Sequence, residues 1–348
     1  MFSYNNKIVQ EDLKEIISYN LPWRKLNGKT VLVTGGNGML ACYLTYTLLY
    51  LVGEKGLNIT IIVLTRSIDK TKSLYAPFLE KLYFKVLVQD VTLPINCEDK
   101  IDYILHFAGN ASPTFINNDP VGIVKANLLG TFNVMELARE SQTKRVLFAS
   151  TREVYGAVDA QLLTEESFGA LDPLDNRSCY PESKRAAETI LRSYFTQYGL
   201  DSVIARIAHS YGPGMKITND GRVMADFIGN AVRNENIVLN SSGEAVRAFL
   251  YLSDAIVALF TILFNGKSGE AYNVSNELEA LPIYQVAQMI CEAFPEKEIK
   301  VVFSGEKPKS GYCNYPRVGL DNTKLLSLGF RCRVGLENGI IKTVRSYE

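Results

Sequence analysis

From Thr30 onward, runs of apolar residues alternate with segments whose apolar residues recur at helical spacing. The apolar runs predict strands at residues 30–33, 59–64, 84–88, 103–107, 146–149 and 202–207. The intervening segments predict helices near residues 39–50, 70–82, 121–140 and 180–197. Continuous apolar strands separated by helices are typical of a parallel sheet that is covered on both faces. The pattern therefore predicts an α/β fold built on a doubly wound parallel sheet.

Two flanking segments differ from this repeating pattern. Val9, Leu13, Ile16 and Ile17 recur at helical spacing, so residues 1–29 are expected to form an N-terminal helical extension. After residue 211 the predicted elements become shorter and loops become more frequent. We therefore expect a sheet domain over residues 30–211 and a smaller C-terminal α+β lobe over residues 212–348, with an interleaved boundary.

The composition excludes several classes of protein. The 348 residues carry 37 Lys and Arg against 37 Asp and Glu, without the basic excess of a nucleic-acid-binding protein. The six cysteines include no C-x-x-C pair, so no metal site is expected. The N-terminus lacks the apolar segment of a signal peptide, and the longest apolar stretch is too short to span a bilayer. We expect a cytoplasmic protein with reduced thiols and no membrane partner.

A glycine-rich turn follows the first predicted strand and opens the first helix of the sheet domain. Residues 34–41 are Thr-Gly-Gly-Asn-Gly-Met-Leu-Ala. Glycines permit a tight turn and let backbone N–H groups approach a pyrophosphate at the helix N-terminus. Because the turn begins the first strand–helix–strand unit, it favours dinucleotide binding over an ordinary glycine-rich connection. No Gly-Lys-Ser/Thr follows it, which argues against a P-loop.

The ends of the second and third predicted strands bear on which dinucleotide binds. A carboxylate after the second strand would mark NAD, but this chain has Arg66 there. Arg66 can accept the 2′-phosphate of NADP, stack on the adenine of NAD, or simply lie in a solvated loop. Asp90, which is followed by Val91, can accept a hydrogen bond from the adenine amino group or serve only as a turn residue.

Tyr180 and Lys184 place a phenol and an ammonium four residues apart on one helix face. A cation close to a phenol favours the phenolate, which can take a proton from a substrate hydroxyl near neutral pH. Thr151, at the end of a predicted strand, can hydrogen bond the same substrate oxygen. The pair alone is typical of a solvated helix face, but with the glycine turn and Thr151 it predicts a catalytic site.

With these motifs the chain resembles the extended short-chain dehydrogenases/reductases, the NAD-dependent nucleotide-sugar epimerase/dehydratase family, over residues 29–346. The resemblance implies a Rossmann-like domain, a C-terminal substrate lobe, a bound NAD and a triad of Thr151, Tyr180 and Lys184; Arg66 leaves NADP open. The motif His-Phe-Ala-Gly at 106–109 matches the family's fourth-strand cofactor motif. The residues expected to contact the cofactor are Gly35, Asn37, Gly38, Met39, Leu40, Arg66, Asp90, Val91, Phe107, Ala108, Gly109, Asn127, Tyr180 and Lys184.

Several further motifs resemble those of UDP-glucuronate decarboxylases. They are Ala-Ser-Pro at 111–113, Cys-Tyr-x-x-x-Lys-Arg-x-Ala-Glu at 179–188, Asn-Asp-Gly-Arg-Val at 219–223 and Arg-Ala-Phe at 247–249. Glu153 matches a glutamate that decarboxylases and 4,6-dehydratases carry and 4-epimerases usually lack. The residues that the resemblance implies at the substrate are Ser112, His209, Arg222, Val223, Arg247 and Arg317.

Two residues depart from the family pattern. Arg152 lies where a dehydratase has an aspartate acid and where decarboxylases usually have serine. His209 lies where the family normally has asparagine in contact with the diphosphate or sugar. His209 can donate the same hydrogen bond, carry a charge that changes the substrate, or be a hydrogen-bonded buried histidine with a structural role only.

In the implied reaction Tyr180, aided by Lys184 and Thr151, removes the proton of the sugar C4 hydroxyl. The C4 hydrogen passes as hydride to the nicotinamide, which gives a 4-keto sugar. In a uronic acid the resulting 4-ketone is β to the carboxylate, so carbon dioxide can leave, with Glu153 and Arg152 steering proton and charge at C5. The expected substrate is a nucleotide-diphosphate sugar, UDP-linked and UDP-glucuronate-like.

Other outcomes remain open. The first alternative is a 4-epimerase and the second a 4,6-dehydratase. A non-catalytic NAD-sensing protein would be expected to lack Tyr180 or Lys184, and both are present. The resemblance also implies a homodimer formed through helices 121–140 and 180–197.

Overall fold

The computed structural model describes residues 2–218, 220–304 and 319–348. Its helices are α1 (Lys7–Ser18), α2 (Met39–Lys55), α3 (Ile68–Tyr75), α4 (Pro113–Asn118), α5 (Pro120–Glu140), α6 (Cys179–Tyr198), α7 (Val223–Arg233), α8 (Leu252–Asn265), α9 (Ile283–Ala293), α10 (Thr323–Ser327) and α11 (Leu336–Arg345). Its strands are β1 (Lys29–Thr34), β2 (Ile59–Thr65), β3 (Phe84–Val88), β4 (Tyr103–His106), β5 (Arg145–Thr151), β6 (Leu162–Leu163), β7 (Ser202–Ile207), β8 (His209–Tyr211), β9 (Ile237–Leu239), β10 (Val246–Arg247), β11 (Phe249–Tyr251), β12 (Ala271–Val274), β13 (Leu281–Pro282), β14 (Val301–Phe303) and β15 (Gly319–Leu320).

A seven-stranded parallel sheet forms the centre of the fold, in the order β3-β2-β1-β4-β5-β7-β12. The predicted α/β class with a doubly wound sheet is confirmed. The chain order reverses between β1 and β4, which pair in parallel. In such sheets ligands bind outside the carboxyl ends of the strands at this reversal. The glycine turn after β1 and the residues after β4 and β5 lie at that edge.

The segment after residue 212 contributes to both parts of the molecule. β12 pairs with β7 and extends the central sheet, and every residue of α8 up to Phe264 is buried against that sheet's core. The helices α7, α9 and α11 surround a separate apolar core. The strand β12 is the one strand of the central sheet that the apolar pattern did not predict.

The N-terminal extension is held by a buried ion pair. Asp12 of α1 is fully buried, and Lys342 of α11 places its Nζ 2.6 Å from Asp12 Oδ1. Tyr43 of α2 and Tyr251 of β11 donate hydrogen bonds to Asp12 Oδ2 at 3.0 and 2.7 Å. These side chains join α1, the central domain and the C-terminal lobe.

The described ranges hold no helix that is both long and apolar enough to cross a membrane. Within the same ranges, no three His, Cys, Asp or Glu side chains are grouped so as to hold a metal ion.

Candidate active site

The glycine turn is packed too closely for side chains at its first two glycines. Gly35 has a φ of +69°, and a Cβ there would lie 2.7 Å from the carbonyl oxygen of Phe107 and 2.8 Å from Ala108. A Cβ at Gly36 would lie 2.1 Å from the side chain of Val63. Gly38 precedes α2, which begins at Met39 and continues through Leu40. The backbone is therefore drawn against β4 and leaves the amino end of α2 exposed to an anion, as a dinucleotide requires.

Asn37 is part of the turn, but its side chain is used within the protein. Its Nδ2 donates to Thr65 Oγ1 at 2.6 Å and to the carbonyl of Ser67 at 3.0 Å. Its Oδ1 accepts from the Thr71 hydroxyl at 3.0 Å. Asn37 thus fixes the glycine turn to the loop after β2, which is a contact that the turn's spacing alone did not predict.

Behind the turn, a buried hydrogen-bond chain fixes a neutral histidine. Thr34 Oγ1 accepts from the backbone N–H groups of Phe107 and Ala108, so its hydroxyl donates to His106 Nδ1 at 2.8 Å. His106 Nε2 then donates to Thr131 Oγ1 at 3.3 Å. Burial and the nearby charge of Lys184 lower the pKa of His106 to about 3. The chain braces β1 against β4 beneath the predicted cofactor motif.

Arg66 and Asp90, predicted from separate strand ends, lie together. Their charged atoms are 3.7 Å apart, and the Arg66 side chain is 67% exposed. Partial burial opposes ionisation of Asp90, but a hydrogen bond from the Thr92 N–H and the charge of Arg66 hold the pKa of Asp90 below its ordinary value. Val91 is buried, and its carbonyl accepts from Asn133. The ion pair forms a charged rim where the adenosine half of a dinucleotide would lie.

Asn127 and Gly109 meet beside Lys184. A Cβ at Gly109 would lie 2.9 Å from Asn127 Oδ1 and 3.7 Å from Lys184 Nζ. Asn127 Nδ2 donates to Ser183 Oγ at 2.8 Å. Asn127 Oδ1 is buried and has no hydrogen-bond partner among the described residues. An unpartnered buried acceptor at this position fits a site completed by a bound polar group.

Burial dominates the electrostatics of the predicted catalytic pair. Lys184 donates to the Ala149 carbonyl at 2.8 Å and lies over the Phe148 ring, and burial lowers the pKa of Lys184 to about 8. Burial, followed by the charge of Glu153, raises the pKa of Tyr180, although a hydrogen bond with Thr151 opposes the shift. The sequence led us to expect a lowered Tyr180 pKa. That expectation is wrong for the protein alone, because desolvation outweighs the favourable charges.

An ion pair that the sequence analysis missed lies beside these residues. Arg177 Nη2 is 2.7 Å from Glu153 Oε1, and both side chains are about one-quarter exposed. Arg177 precedes α6 by two residues. Its closeness in sequence to Cys179 and Tyr180 is the one feature that could have marked it as a site residue. Glu153 follows the end of β5, where the Thr151 hydroxyl accepts its backbone N–H and shapes the turn. Arg152 and Glu153 also line a cavity of about 390 Å³ together with residues 156–159 and Leu163.

The C-terminal lobe brings further predicted substrate residues towards the same edge. Ser112 directly precedes α4 without a side-chain capping hydrogen bond, and Thr114 of α4 donates to the Asp220 carbonyl. Buried Asp220 pairs with Arg222, and Val223 begins α7 directly after it. Arg317 lies outside the described residues.

His209 lies on β8, which pairs with β11, and three arginines are near its ring. Its ring is 5.7 Å from that of Phe249, and Arg152 Nη1 is 3.4 Å from His209 Nε2. Surrounding protein atoms and the charges of Arg152, Arg247 and Arg222 lower the pKa of His209. The side chain remains open to solvent in the cleft and is not a buried structural histidine.

A larger open groove of about 880 Å³ lies between residues 95–100 and the end of α5. Its walls contain none of the predicted site residues. The groove therefore has no part in the site assembled around Tyr180.

Comparisons with known proteins bear on the family and the fold of the chain. The model of the NAD dependent epimerase/dehydratase family matches residues 31–275. The chain is 36% identical over 273 residues to UDP-glucuronic acid decarboxylase 6 of Arabidopsis thaliana, which covers 78% of this chain and 76% of that protein. It is 33% identical over 319 residues to UDP-glucuronic acid decarboxylase 1 of Xenopus tropicalis, which covers 92% of this chain and 72% of that protein.

Solved structures share the fold at lower identity. A UDP-glucose 4-epimerase from Thermotoga maritima superposes with a TM-score of 0.76 at 22% identity, covering 91% of this chain and 98% of that one. A dTDP-glucose 4,6-dehydratase from Streptomyces venezuelae with NAD bound superposes with a TM-score of 0.73 at 24% identity, covering 91% and 96%. The resemblance stated from the motifs is confirmed.

Proposed function

The chain belongs to the NAD-dependent epimerase/dehydratase family, and from this premise we propose that it decarboxylates a UDP-glucuronate-like nucleotide sugar through a 4-keto intermediate. The observation that carries the proposal is that Tyr180 hydrogen bonds with Thr151 and lies near Glu153, on the same helix as Lys184, whose Nζ lies beside Gly109. The decarboxylase relatives at 30–36% identity support this choice of reaction.

The cofactor proposed is NAD. The glycine turn against β4, the exposed amino end of α2 and the unpartnered Asn127 Oδ1 fit such a group. The Arg66–Asp90 pair supports NAD over NADP, because Asp90 already offsets the Arg66 charge that a 2′-phosphate would need. When bound, NAD accepts a hydride from the sugar C4, returns it at the end and brings a positive charge that favours ionisation of Tyr180.

Tyr180 removes the proton from the sugar C4 hydroxyl, and Thr151 holds the same oxygen. The C4 hydrogen leaves with its bonding electron pair as a hydride, and C4 becomes a ketone carbon. Because the carboxylate is β to that ketone, its C5–C6 bond breaks with loss of carbon dioxide, and the electrons move into an enolate. Tyr180 and Thr151 hydrogen bond the enolate oxygen. A proton then joins C5 under the influence of Glu153 and Arg152, and C4 is reduced to give a pentose.

A second candidate is 4-epimerisation of the same acidic sugar, and Arg152 is the observation that favours it. A guanidinium bound to the carboxylate stabilises it before carbon dioxide leaves, which slows decarboxylation and leaves the ketone to be reduced from its other face. Elimination of water is a weaker candidate because Arg152 replaces the aspartate acid that a dehydratase needs.

The test is incubation of purified protein and NAD with UDP-, dTDP-, CDP- and GDP-linked sugars, followed by mass spectrometry. We expect UDP-glucuronate to lose carbon dioxide. Loss of water, or an isomer of unchanged mass, identifies the other reactions. The variant Tyr180→Phe should abolish turnover of every sugar. Bound NAD with no substrate consumed would support a sensor and contradict the proposed catalysis.

We also propose a cytoplasmic homodimer that pairs through α5 and α6. Supporting this, Val121, Leu129 and Phe132 of α5 and Tyr198 of α6 are exposed apolar or aromatic side chains. Exposed apolar surface on adjacent helices is typical of an interface. Sedimentation of Phe132→Glu should give a monomer if this pairing holds.

A further inference from the structure

Arg152 and His209, the two departures from the family pattern, contact one another. They come from distant parts of the sequence, and their side chains meet with Arg152 Nη1 3.4 Å from His209 Nε2. A serine at residue 152 would be too short to make this contact, and an asparagine at residue 209 would hold its acceptor oxygen closer to the backbone than His209 Nε2. The two unusual residues therefore form one structural feature and not two independent changes.

The surroundings of His209 favour a neutral ring that accepts a hydrogen bond from Arg152. Its strand β8 pairs with β11, which sets the ring beside Phe249. The surrounding protein atoms, followed by the charges of Arg152, Arg247 and Arg222, disfavour a positive charge on the ring. Nε2 of the neutral ring accepts the guanidinium N–H, and Nδ1 keeps its proton and is a second donor.

The local charges indicate what this pair would bind. Arg152, Arg222 and Arg247 all lie close enough to His209 to affect its charge. Of the nearby carboxylates, Asp220 pairs with Arg222, which is one of these three arginines, and Glu153 pairs with Arg177. Arg152 lines the same cavity as Glu153, and a guanidinium is shaped to bind a carboxylate through two parallel hydrogen bonds.

We propose that Arg152, oriented by His209, binds an anionic substituent of the sugar and so sets a preference for acidic over neutral nucleotide sugars. Arg152 is the specificity-determining residue and His209 is its positioning residue. This inference rests on the proposed function, since it takes the substrate to be a nucleotide sugar whose C4 lies at Tyr180. It adds the residues that select the substituent at C5.

The experiment compares UDP-glucuronate with UDP-glucose, which differ only in the carboxylate. Binding is measured calorimetrically on NAD-loaded Tyr180→Phe protein, so that turnover does not interfere. We expect UDP-glucuronate to bind about 10- to 100-fold more tightly, the range for hydrogen bonds to a charged group. Adding Arg152→Ser should reduce the ratio of the two affinities to about one, mainly by weakening the binding of UDP-glucuronate.

The positioning role of His209 is tested by a double-mutant cycle in the same background. His209→Phe, which keeps a ring but has no acceptor, should reduce the UDP-glucuronate preference, and combining it with Arg152→Ser should cause no further loss. His209→Gln, which retains an acceptor, should recover part of the preference. Arg192→Ser, which removes an exposed arginine from α6, is the matched control and should leave the ratio unchanged.

The outcomes separate this inference from the proposed function. Equal binding of both sugars, or an unchanged ratio in Arg152→Ser, would overturn the specificity role while leaving C4 oxidation intact. If the double variant reduced the binding ratio by the product of the two single-variant factors, Arg152 and His209 would not be coupled, and the positioning role of His209 would be overturned. Failure to bind either sugar, with NAD bound, would instead overturn the proposed function.

Discussion

Glu153 and Arg177 form an ion pair, with Glu153 Oε1 2.7 Å from Arg177 Nη2, beside the phenol of Tyr180. The two charges act on Tyr180 in opposite directions, because Glu153 raises the pKa of Tyr180 and Arg177 lowers it. The pair therefore keeps a carboxylate next to the proposed base while offsetting much of its unfavourable effect.

Arg177→Met should move the rising limb of the kcat/KM against pH profile to higher pH. Without Arg177 the uncompensated Glu153 raises the Tyr180 pKa further, so the phenolate forms only in more alkaline solution. We expect a loss of about tenfold at neutral pH, corresponding to roughly one pKa unit. Arg177→Lys keeps the charge and should retain most of the activity; an unshifted profile in Arg177→Met would argue against this electrostatic role.

Lys184→Met should remove activity and yet stabilise the fold at neutral pH. Burial lowers the pKa of Lys184 from 10.5 to about 8, so the charged amine opposes folding fully below pH 8 and not at all above pH 10.5. We expect turnover to fall about 100- to 10,000-fold. Thermal unfolding should show a higher Tm for the variant at pH 7, with the difference shrinking towards pH 10.5; a lower Tm at pH 7 would refute the burial argument.

Arg152→Ser should change which product forms. If Arg152 holds the carboxylate, its removal eliminates a contact that is lost as carbon dioxide departs, and decarboxylation becomes easier relative to epimerisation. We expect the ratio of pentose to 4-epimer to rise about tenfold. Chromatography of the products from UDP-glucuronate measures the ratio, and a constant ratio would show that Arg152 does not contact the carboxylate during reaction.

Asp12→Asn should destabilise the whole protein. The substitution removes the carboxylate nearest to the largely buried Lys342 ammonium and leaves only Glu15, 3.8 Å away, which costs up to about 3–5 kcal/mol. Adding Lys342→Met removes the stranded charge and should recover part of the loss. Urea denaturation measures both variants, and equal stability of the single and double variants would mean that the ammonium is not stranded.

Gly35→Ala should prevent NAD binding, whereas Gly53→Ala should not. A Cβ at Gly35 would collide with the Phe107 carbonyl at 2.7 Å, and its φ of +69° is unfavourable for alanine. Gly53 lies exposed within α2 with no atom within 4 Å of its Cβ position, so alanine there should stabilise by about 0.5–1 kcal/mol. NAD titration of both variants provides the comparison, and normal binding by Gly35→Ala would contradict the cradle described for this turn.

The sequence predicted the elements whose signals are local. Six strands of the central sheet were identified because each is an apolar run next to a helix, and Tyr180 and Lys184 were paired because four residues make one helical turn. β12 was missed because a four-residue strand after a long excursion resembles a loop. The partners of Glu153, Asp12 and His209 were missed because each lies far along the chain and only folding brings it close. Burial also reversed the predicted Tyr180 shift, since spacing carries no information on desolvation.

The late position of β12 has a consequence for synthesis on the ribosome. β7 emerges well before β12, so the outer edge of β7 has no strand to pair with for several seconds at about 5–20 residues per second. An open edge of this kind pairs readily with other chains. Chains released from the ribosome after residue 207 but before residue 271 has been added should therefore be prone to aggregate. The first domain to emerge completes its sheet only when most of the protein has been made.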